Sequence, residues 1–329
     1  MPGINSCRKD KNIIWPVILG ILIMAVAGCN RPTVKVFTIG IVGSMLRDAP
    51  VLKGFREGMG ELGYIEGKNI KYVFREVLEN DEKDVDAGIK EVLAQDVDIL
   101  LTLGGGVCLR GKELVKGTDT PLLFSGEPWP VEKGLVETLA RPGGNITGVR
   151  CPNSILKALE WLQLITVKAK KFYAPYNPDD KISVAELPIL DKTARQLGIE
   201  LIFHEVHSVE EVLKAIDDLT EDFDAVFMLP SPTLNPESGE IGRAAIKRGI
   251  PTGAPLILDE SVLITFSNDY FDAGKKTARM ADQIHLGVKP ADLPVETTEV
   301  ILIVNMKTAE EIGLAIPDAV LTQAKTIIR

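Results

Sequence analysis

The chain has 329 residues, enough for two domains of ordinary size, and 45% of them are hydrophobic against 25% charged, the balance of a globular body. Its 37 Lys and Arg stand against 46 Asp and Glu, a formal charge of −9, which excludes a general nucleic-acid binder because phosphate contacts need a basic face. No basic run, solenoid-period repeat or low-complexity tract interrupts the pattern.

The N-terminus carries Arg8, Lys9 and Lys11 and is then uncharged from Ile13 to Ala27. That run is shorter than the roughly 20 residues of a spanning helix and fits the apolar region of a secretory signal. Val26, Ala27, Gly28 and Cys29 follow at once. The order resembles a bacterial lipoprotein signal, in which small residues precede a cysteine that is lipidated and becomes the new N-terminus; Val26 stands where Leu is commonest. The resemblance implies a signal peptide over 1–28, lipidation at Cys29, a tether over 29–34 and an extracytoplasmic, membrane-anchored protein. Cleavage would leave 34 basic and 45 acidic side chains. Beyond Cys7 and Cys29, Cys108 and Cys151 read as lone buried thiols, although an exported location permits a disulfide.

The next hundred residues alternate between two periods. Val36–Val42 reads as a strand ending at Gly43 and Ser44; Leu52, Phe55, Met59 and Leu62 recur at helical spacing, and Gly63 supplies the stop. Ile70, Tyr72 and Phe74 alternate as a second strand, and Val85, Ile89, Val92 and Leu93 mark a helix face. Val97–Leu103 is almost wholly apolar, as a strand covered on both faces would be. Gly104, Gly105 and Gly106 end it before a helix from near Val107, and Pro121–Ser125 is a fourth strand leaving through Gly126–Pro130. This alternation predicts a parallel sheet with helices on both faces, whose ligands bind beyond the carboxyl ends of the strands. The loops to watch are 43–47, 104–108 and 126–130. The triple glycine is neither a dinucleotide fingerprint nor a P-loop; it is a tight turn or a set of N–H groups at a helix start.

Arg141–Val149, with Pro142, Gly143, Gly144 and Gly148, is either a crossover to a second lobe or a surface loop. The alternation then resumes. Strands are predicted at Lys171–Tyr176, Glu200–Phe203, Ala225–Leu229, a short one from Pro251, Val262–Phe266 and Val300–Val304. Helices carry Ala185, Leu187 and Leu190 (with Pro188 near the first turn or kinking it), then Val209, Val212, Leu213, Ile216 and Leu219; another ends near Arg248, and a long one runs to His285.

Catalytic chemistry is missing. His204 and His207 differ by an odd number on a strand end and point to opposite faces, and His285 is remote in sequence, so no metal site is predicted. Ser125 lacks the flanking glycines of a nucleophile elbow. The residues argue for a binding protein rather than an enzyme.

The stretches Gly54–Ile70, Arg141–Val149, Tyr176–Pro178, Asn268–Gly274, Lys289–Thr297 and Asn305–Ala309 resemble, together, the substrate-binding lipoproteins of ABC transporters, in the branch that includes binders of aromatic amino acids. The resemblance implies a type I periplasmic-binding α/β fold: two doubly wound parallel-sheet lobes joined by three crossovers, near 146–149, 265–268 and 288–298. Lobe 1 is then 35–147 plus 267–290, and lobe 2 is 148–266 plus 291–329. It also implies a small-molecule ligand such as an amino acid, handed to an ABC permease driven by an ATPase, with no cofactor. The alternative is an extracytoplasmic sensor or interaction lipoprotein of the same fold; the lack of an attached signalling domain favours transport. Three departures fall in the ligand loops. Gly104–Gly106 replaces a small-Thr-Pro turn, Glu127-Pro128 replaces Asp-Pro, and Ser231-Pro232 replaces Thr-Asp.

A zwitterionic ligand needs a carboxylate for its ammonium and donors for its own carboxylate. Asp269 and Glu127, at strand exits, are the candidate carboxylates, although Asp269 also suits a helix cap. Ser44, Gly105 and Gly106 can donate at helix starts. Trp129, Tyr176 and Tyr270 can wall the pocket, although Trp129 also suits packing. Asn177 and Ser231, at strand exits of the second lobe, complete the expected set.

Overall fold

The computed structural model describes Gly3 and residues 36–329 apart from 45, 47, 48, 79, 80, 219–222, 257 and 258. The chain divides into an N-terminal unit, Met1–Val36, and a body, Phe37–Arg329. The expected signal peptide, the tether and Cys29 lie outside the described residues, as does Leu219.

The apolar runs of the first half pair as expected of strands separated by helices. β1 (Phe37–Gly43), β2 (Ile70–Glu76), β3 (Ile99–Leu103), β4 (Leu122–Ser125) and β5 (Ile146–Arg150) join β11 (Glu296–Thr297) in a sheet of order β11-β5-β4-β3-β1-β2, every pairing parallel. The two-residue period sorts the core. Ile39, Ile41, Leu101, Leu103 and Leu123 face α1 (Pro50–Glu61) and α8 (Tyr270–His285). Val42, Leu100, Leu122 and Phe124 face α2 (Glu82–Leu93) and α3 (Gly105–Val115). Gly54 and Gly274 set the crossing of α1 and α8. A Cβ on either would stand 2.0 Å from a backbone oxygen of the other helix, Phe271 O or Val51 O.

The second sheet holds β6 (Lys171–Tyr176), β7 (Glu200–Glu205), β8 (Ala225–Phe227), β9 (Thr252–Ala254), β10 (Ile264–Asn268), β12 (Val300–Asn305) and β13 (Thr326–Ile328), in the order β13-β12-β10-β9-β8-β6-β7. Its pairings are parallel except β10 with β12, which the chain enters from the opposite end on its way back from the first lobe. α4 (Ile155–Ile165), α5 (Lys181–Leu197), α9 (Met306–Glu311) and α10 (Asp318–Gln323) cover one face, and α6 (Val209–Asp218) and α7 (Ser238–Lys247) the other. Sequence reading passed over α4, although Ile155, Ala158, Leu159, Leu162 and Ile165 carry the helical period and are all buried.

The strand pairings move the lobe boundaries. Residues 148–150 belong to β5 of the first sheet, and β11 returns to that sheet at 296–297. The breaks expected at 147/148 and 290/291 therefore fall after Arg150 and Thr297, and the one expected at 266/267 falls after Asn268, the end of β10. The Pro-Gly stretch is a turn closed by Glu137 N–H on Pro142 O at 2.8 Å, which leads into β5 instead of crossing over. The three crossings lie side by side. Thr298 N–H donates to Arg150 O at 3.1 Å, Asp269 N–H to Glu299 O at 2.9 Å, and Asn268 Nδ2 to Pro152 O at 2.9 Å.

Candidate ligand-binding cleft

The two sheets present the carboxyl ends of their parallel strands to one cleft, the location where open α/β sheets bind ligands. The cavity there is about 620 Å³. The first lobe supplies Ser44 after β1, Gly104 after β3 with Gly105 and Gly106 at the start of α3, and Ser125 at the end of β4 with Gly126–Trp129 beyond it. The crossings supply Cys151–Ser154, Asn268 and Tyr270. The second lobe supplies Ile182, Ala185 and Glu186 from α5, Pro230 after β8, and Pro255 and Leu256 after β9. A second chamber of about 690 Å³ shares Ser44, Ile182, Pro230 and Leu256 with it and continues past Ser231 to Arg243 and Asp259.

The first-lobe wall is built around a fully buried carboxylate. Gly104 enters α3 at φ 102°, a conformation costly for residues with a Cβ. Behind this turn Glu127 folds back on its own loop. Its Oε1 accepts from Trp129 N–H at 2.8 Å and its Oε2 from Lys133 Nζ at 3.1 Å. A Cβ on Gly105 would lie 2.6 Å from that Oε2, so the small residue at 105 and the long carboxylate at 127 fit as a pair. Lys133 Nζ also stands 5.8 Å from the centre of the Trp129 ring. One loop thus supplies an anion, its counter-ion and an aromatic wall.

Burial raises three other ionisable groups in the cleft above their ordinary values. Burial pushes the Cys151 thiol and the Tyr270 phenol up to about 12, which keeps both protonated at neutral pH. Burial also raises the Glu186 carboxyl above its ordinary range, partly offset by Asn153 Nδ2 donating to it at 2.8 Å. Cys108 and Cys151 are both buried and are not joined in a disulfide. Four buried side-chain polar atoms have no hydrogen-bond partner among the described residues; Ser125 Oγ and Asn268 Oδ1 belong to residues that line this cavity, while Thr102 and Trp161 do not line it.

The sequence model of the ABC transporter substrate binding protein family matches residues 39–328. The chain belongs to this family. A tyrosine-binding protein of Clostridioides difficile (strain R20291) is 26% identical over 327 residues, covering 93% of each chain. An ABC domain from Streptococcus pneumonia, solved in complex with L-Trp, superposes with a TM-score of 0.71 at 24% identity, over 89% of this chain and all of that one. The ligand-free, open structure of a Clostridium difficile substrate binding protein with adhesive properties gives a TM-score of 0.68 at 24% identity, over 89% of this chain and 99% of the other. These likenesses show the type I periplasmic-binding fold. The family is a non-enzymatic class of extracytoplasmic proteins that bind small molecules and work with an ABC permease.

In this substrate-binding protein the cleft brings together Ser44, Gly105, Gly106, Glu127, Trp129 and Tyr270 of the expected residues. Ser231 lines only the second chamber, and its hydroxyl is engaged, donating to Asp180 and accepting from Leu234 N–H at 3.0 Å. Three expectations need correction. Asp269 does not line the cleft: it caps α8 by accepting from Asp272 N–H at 3.0 Å and pairs with Lys325 Nζ at 3.2 Å. Asn177 is buried with its Oδ1 on Asp179 N–H at 2.8 Å, holding the turn after β6. Tyr176 packs against the second-lobe core. Sequence reading missed Ser125, Lys133 and Asn268. Asn268 was legible in part, since it opens a family-matching stretch one residue before Asp269. Lys133 carried no sequence signal, because a loop has no period from which to read its partner.

Among the described residues no helix is long and apolar enough to cross a membrane, and no group of three or more His, Cys, Asp or Glu is placed to hold a metal ion.

Proposed function

We propose that the protein is a lipid-anchored receptor that captures an amino acid with an aromatic side chain between its lobes and delivers it to an ABC permease for import. The observation that carries this reading is the polarity of the cavity. Val51, Trp129, Ile155, Ile182 and Leu256 give the cavity a mainly apolar lining, into which Ser125, Asn268 and the start of α3 bring a few polar groups. A ligand with one dipolar end and one apolar body matches that mixture. The tyrosine-binding relative and the L-Trp complex of the fold neighbour support the same class. Lipid attachment at Cys29 is supported by Val26, Ala27 and Gly28 before it.

The test is calorimetry of the purified protein with each proteinogenic amino acid, beside mass spectrometry of whatever co-purifies. Saturable binding of L-tryptophan or L-tyrosine is expected, and a protein that binds no aromatic amino acid rejects the ligand assignment. Cys29→Ser should abolish acyl labelling in cells; labelling that persists rejects the anchor.

A further inference from the structure

We propose that Asn268 reads the amino group of the ligand, accepting a hydrogen bond from it at Oδ1, with Ser125 Oγ as the second polar contact beside it. The proposal rests on the amino-acid reading above and names the atoms that would carry it.

Asn268 ends β10 and is 4% exposed. Its Nδ2 donates to Pro152 O on the neighbouring crossing. This bond fixes which way the amide points, because turning it over would set two acceptor oxygens against each other. Oδ1 is therefore an acceptor of fixed direction, and no described residue donates to it. A buried acceptor without a donor is costly to maintain. Because Asn268 lines the cleft, a donor on the ligand can satisfy it. An ammonium group qualifies; a carboxylate does not.

Ser125 ends β4 and is 2% exposed, and its Oγ likewise has no partner among the described residues. It lies opposite Val149 on β5, just ahead of the crossing that carries Pro152. A hydroxyl both donates and accepts, so it can adapt to either pole of a zwitterion. Glu127 is close in sequence but engaged, with one oxygen on Trp129 N–H and the other on Lys133. Both of its oxygens are thus taken, which leaves Asn268 Oδ1 and Ser125 Oγ, among the described residues, as the buried unpartnered side-chain polar atoms of the lining. Asn268 ends β10 next to one crossing while its amide holds another, so this contact is made beside the hinge.

Four ligands separate the possibilities: L-tryptophan, L-tyrosine and their deaminated analogues, 3-(indol-3-yl)propionate and 3-(4-hydroxyphenyl)propionate. Wild type should prefer an amino acid over its analogue by at least about tenfold. Asn268→Ala should remove most of that preference, weakening the amino acid and leaving the analogue unchanged. Asn268→Asp keeps an acceptor but loses the donor to Pro152, and should keep the preference. Ser125→Ala should weaken the amino acid by a smaller factor. If Asn268→Ala keeps the preference, or if the Ala and Asp variants lose it equally, the proposal is overturned while the amino-acid reading stands. If wild type binds neither amino acid, both fall. Should Asn268→Ala fail to fold, as its melting curve would show, Asn268→Asp and Ser125→Ala decide by the same criteria.

Discussion

The two walls of the cleft treat polar groups in opposite ways. On the first lobe a buried carboxylate, its lysine, a serine hydroxyl and the start of α3 all border the cavity. On the second lobe the polar groups close on one another. Asp180 accepts from the Ser231 and Thr233 hydroxyls, the latter at 3.1 Å, and Ser183 donates to Pro230 O. What this lobe turns toward the cavity is mainly Ile182, Ala185, Pro230, Pro255 and Leu256, with Lys181 and Glu186 as its charged groups. A wall that has satisfied most of its own polar groups can close over a ligand with little stripping of water from them. On the proposed function, the first lobe and the crossings would recognise the ligand and the second lobe would enclose it.

The largest effect should come from opening the second-lobe network. Asp180 is 6% exposed, and Asp180→Ala would leave the buried Ser231 hydroxyl without its acceptor, at a cost of about 2 kcal/mol, while the exposed Thr233 hydroxyl can turn to water. Thermal or urea unfolding should show that loss, while the folded protein keeps its ligand affinity within about threefold. A large loss of affinity at unchanged stability would erase the contrast between the walls. Trp129→Ala should do the reverse. The ring is 39% exposed in the cleft, so its removal should weaken an aromatic ligand by roughly tenfold to a hundredfold and barely shift the melting point of the empty protein.

Asp269 lies on neither wall, and its substitution gives a smaller effect. Removing the α8 cap with Asp269→Ala should cost about 1 kcal/mol of stability. Its ion pair with the half-exposed Lys325 adds little. Affinity should be nearly unchanged, and a tenfold loss in calorimetry would return Asp269 to the site. The smallest effect is the pH response of Glu186, the second-lobe carboxylate that burial leaves least at ease. Its folded-state pKa is raised above the ordinary 4.5. Its contribution to stability is therefore fully present below the unfolded value and is lost as pH rises through the folded one. Glu186→Gln should be slightly more stable than wild type near neutral pH, with the difference vanishing toward acid. Melting curves across the carboxylate range measure it, and an unchanged pH profile would show that Glu186 titrates as if solvated.

Much of the fold was legible in the sequence because its signals are local. The apolar runs at Val97–Leu103 and Ala225–Leu229 place strands, and the spacing of Leu52, Phe55 and Met59 places a helix face. Strand and helix in alternation then fix parallel sheets and put the ligand loops at the carboxyl ends of the strands. The glycines of α1 and α8 were visible only as part of a resemblance; their reason, two backbones in contact, belongs to the packed helices.

The sequence by itself determined most of the elements, the parallel α/β class and the loops that border the cleft, and its resemblance to a family implied the two lobes. The tertiary structure alone decided which residues of those loops line the cavity. Asn268 and Asp269 are neighbours of similar shape, and no local pattern distinguishes them. Asp269 pairs with Lys325, 56 residues away, and the amide of Asn268 is held by Pro152, 116 residues away. Periodicity is set by near neighbours along the chain, whereas the partner of a buried polar group is chosen by whichever distant segment packs against it. That choice turned one residue into a helix cap at the hinge and left the other with an unpartnered oxygen in the lining of the cleft.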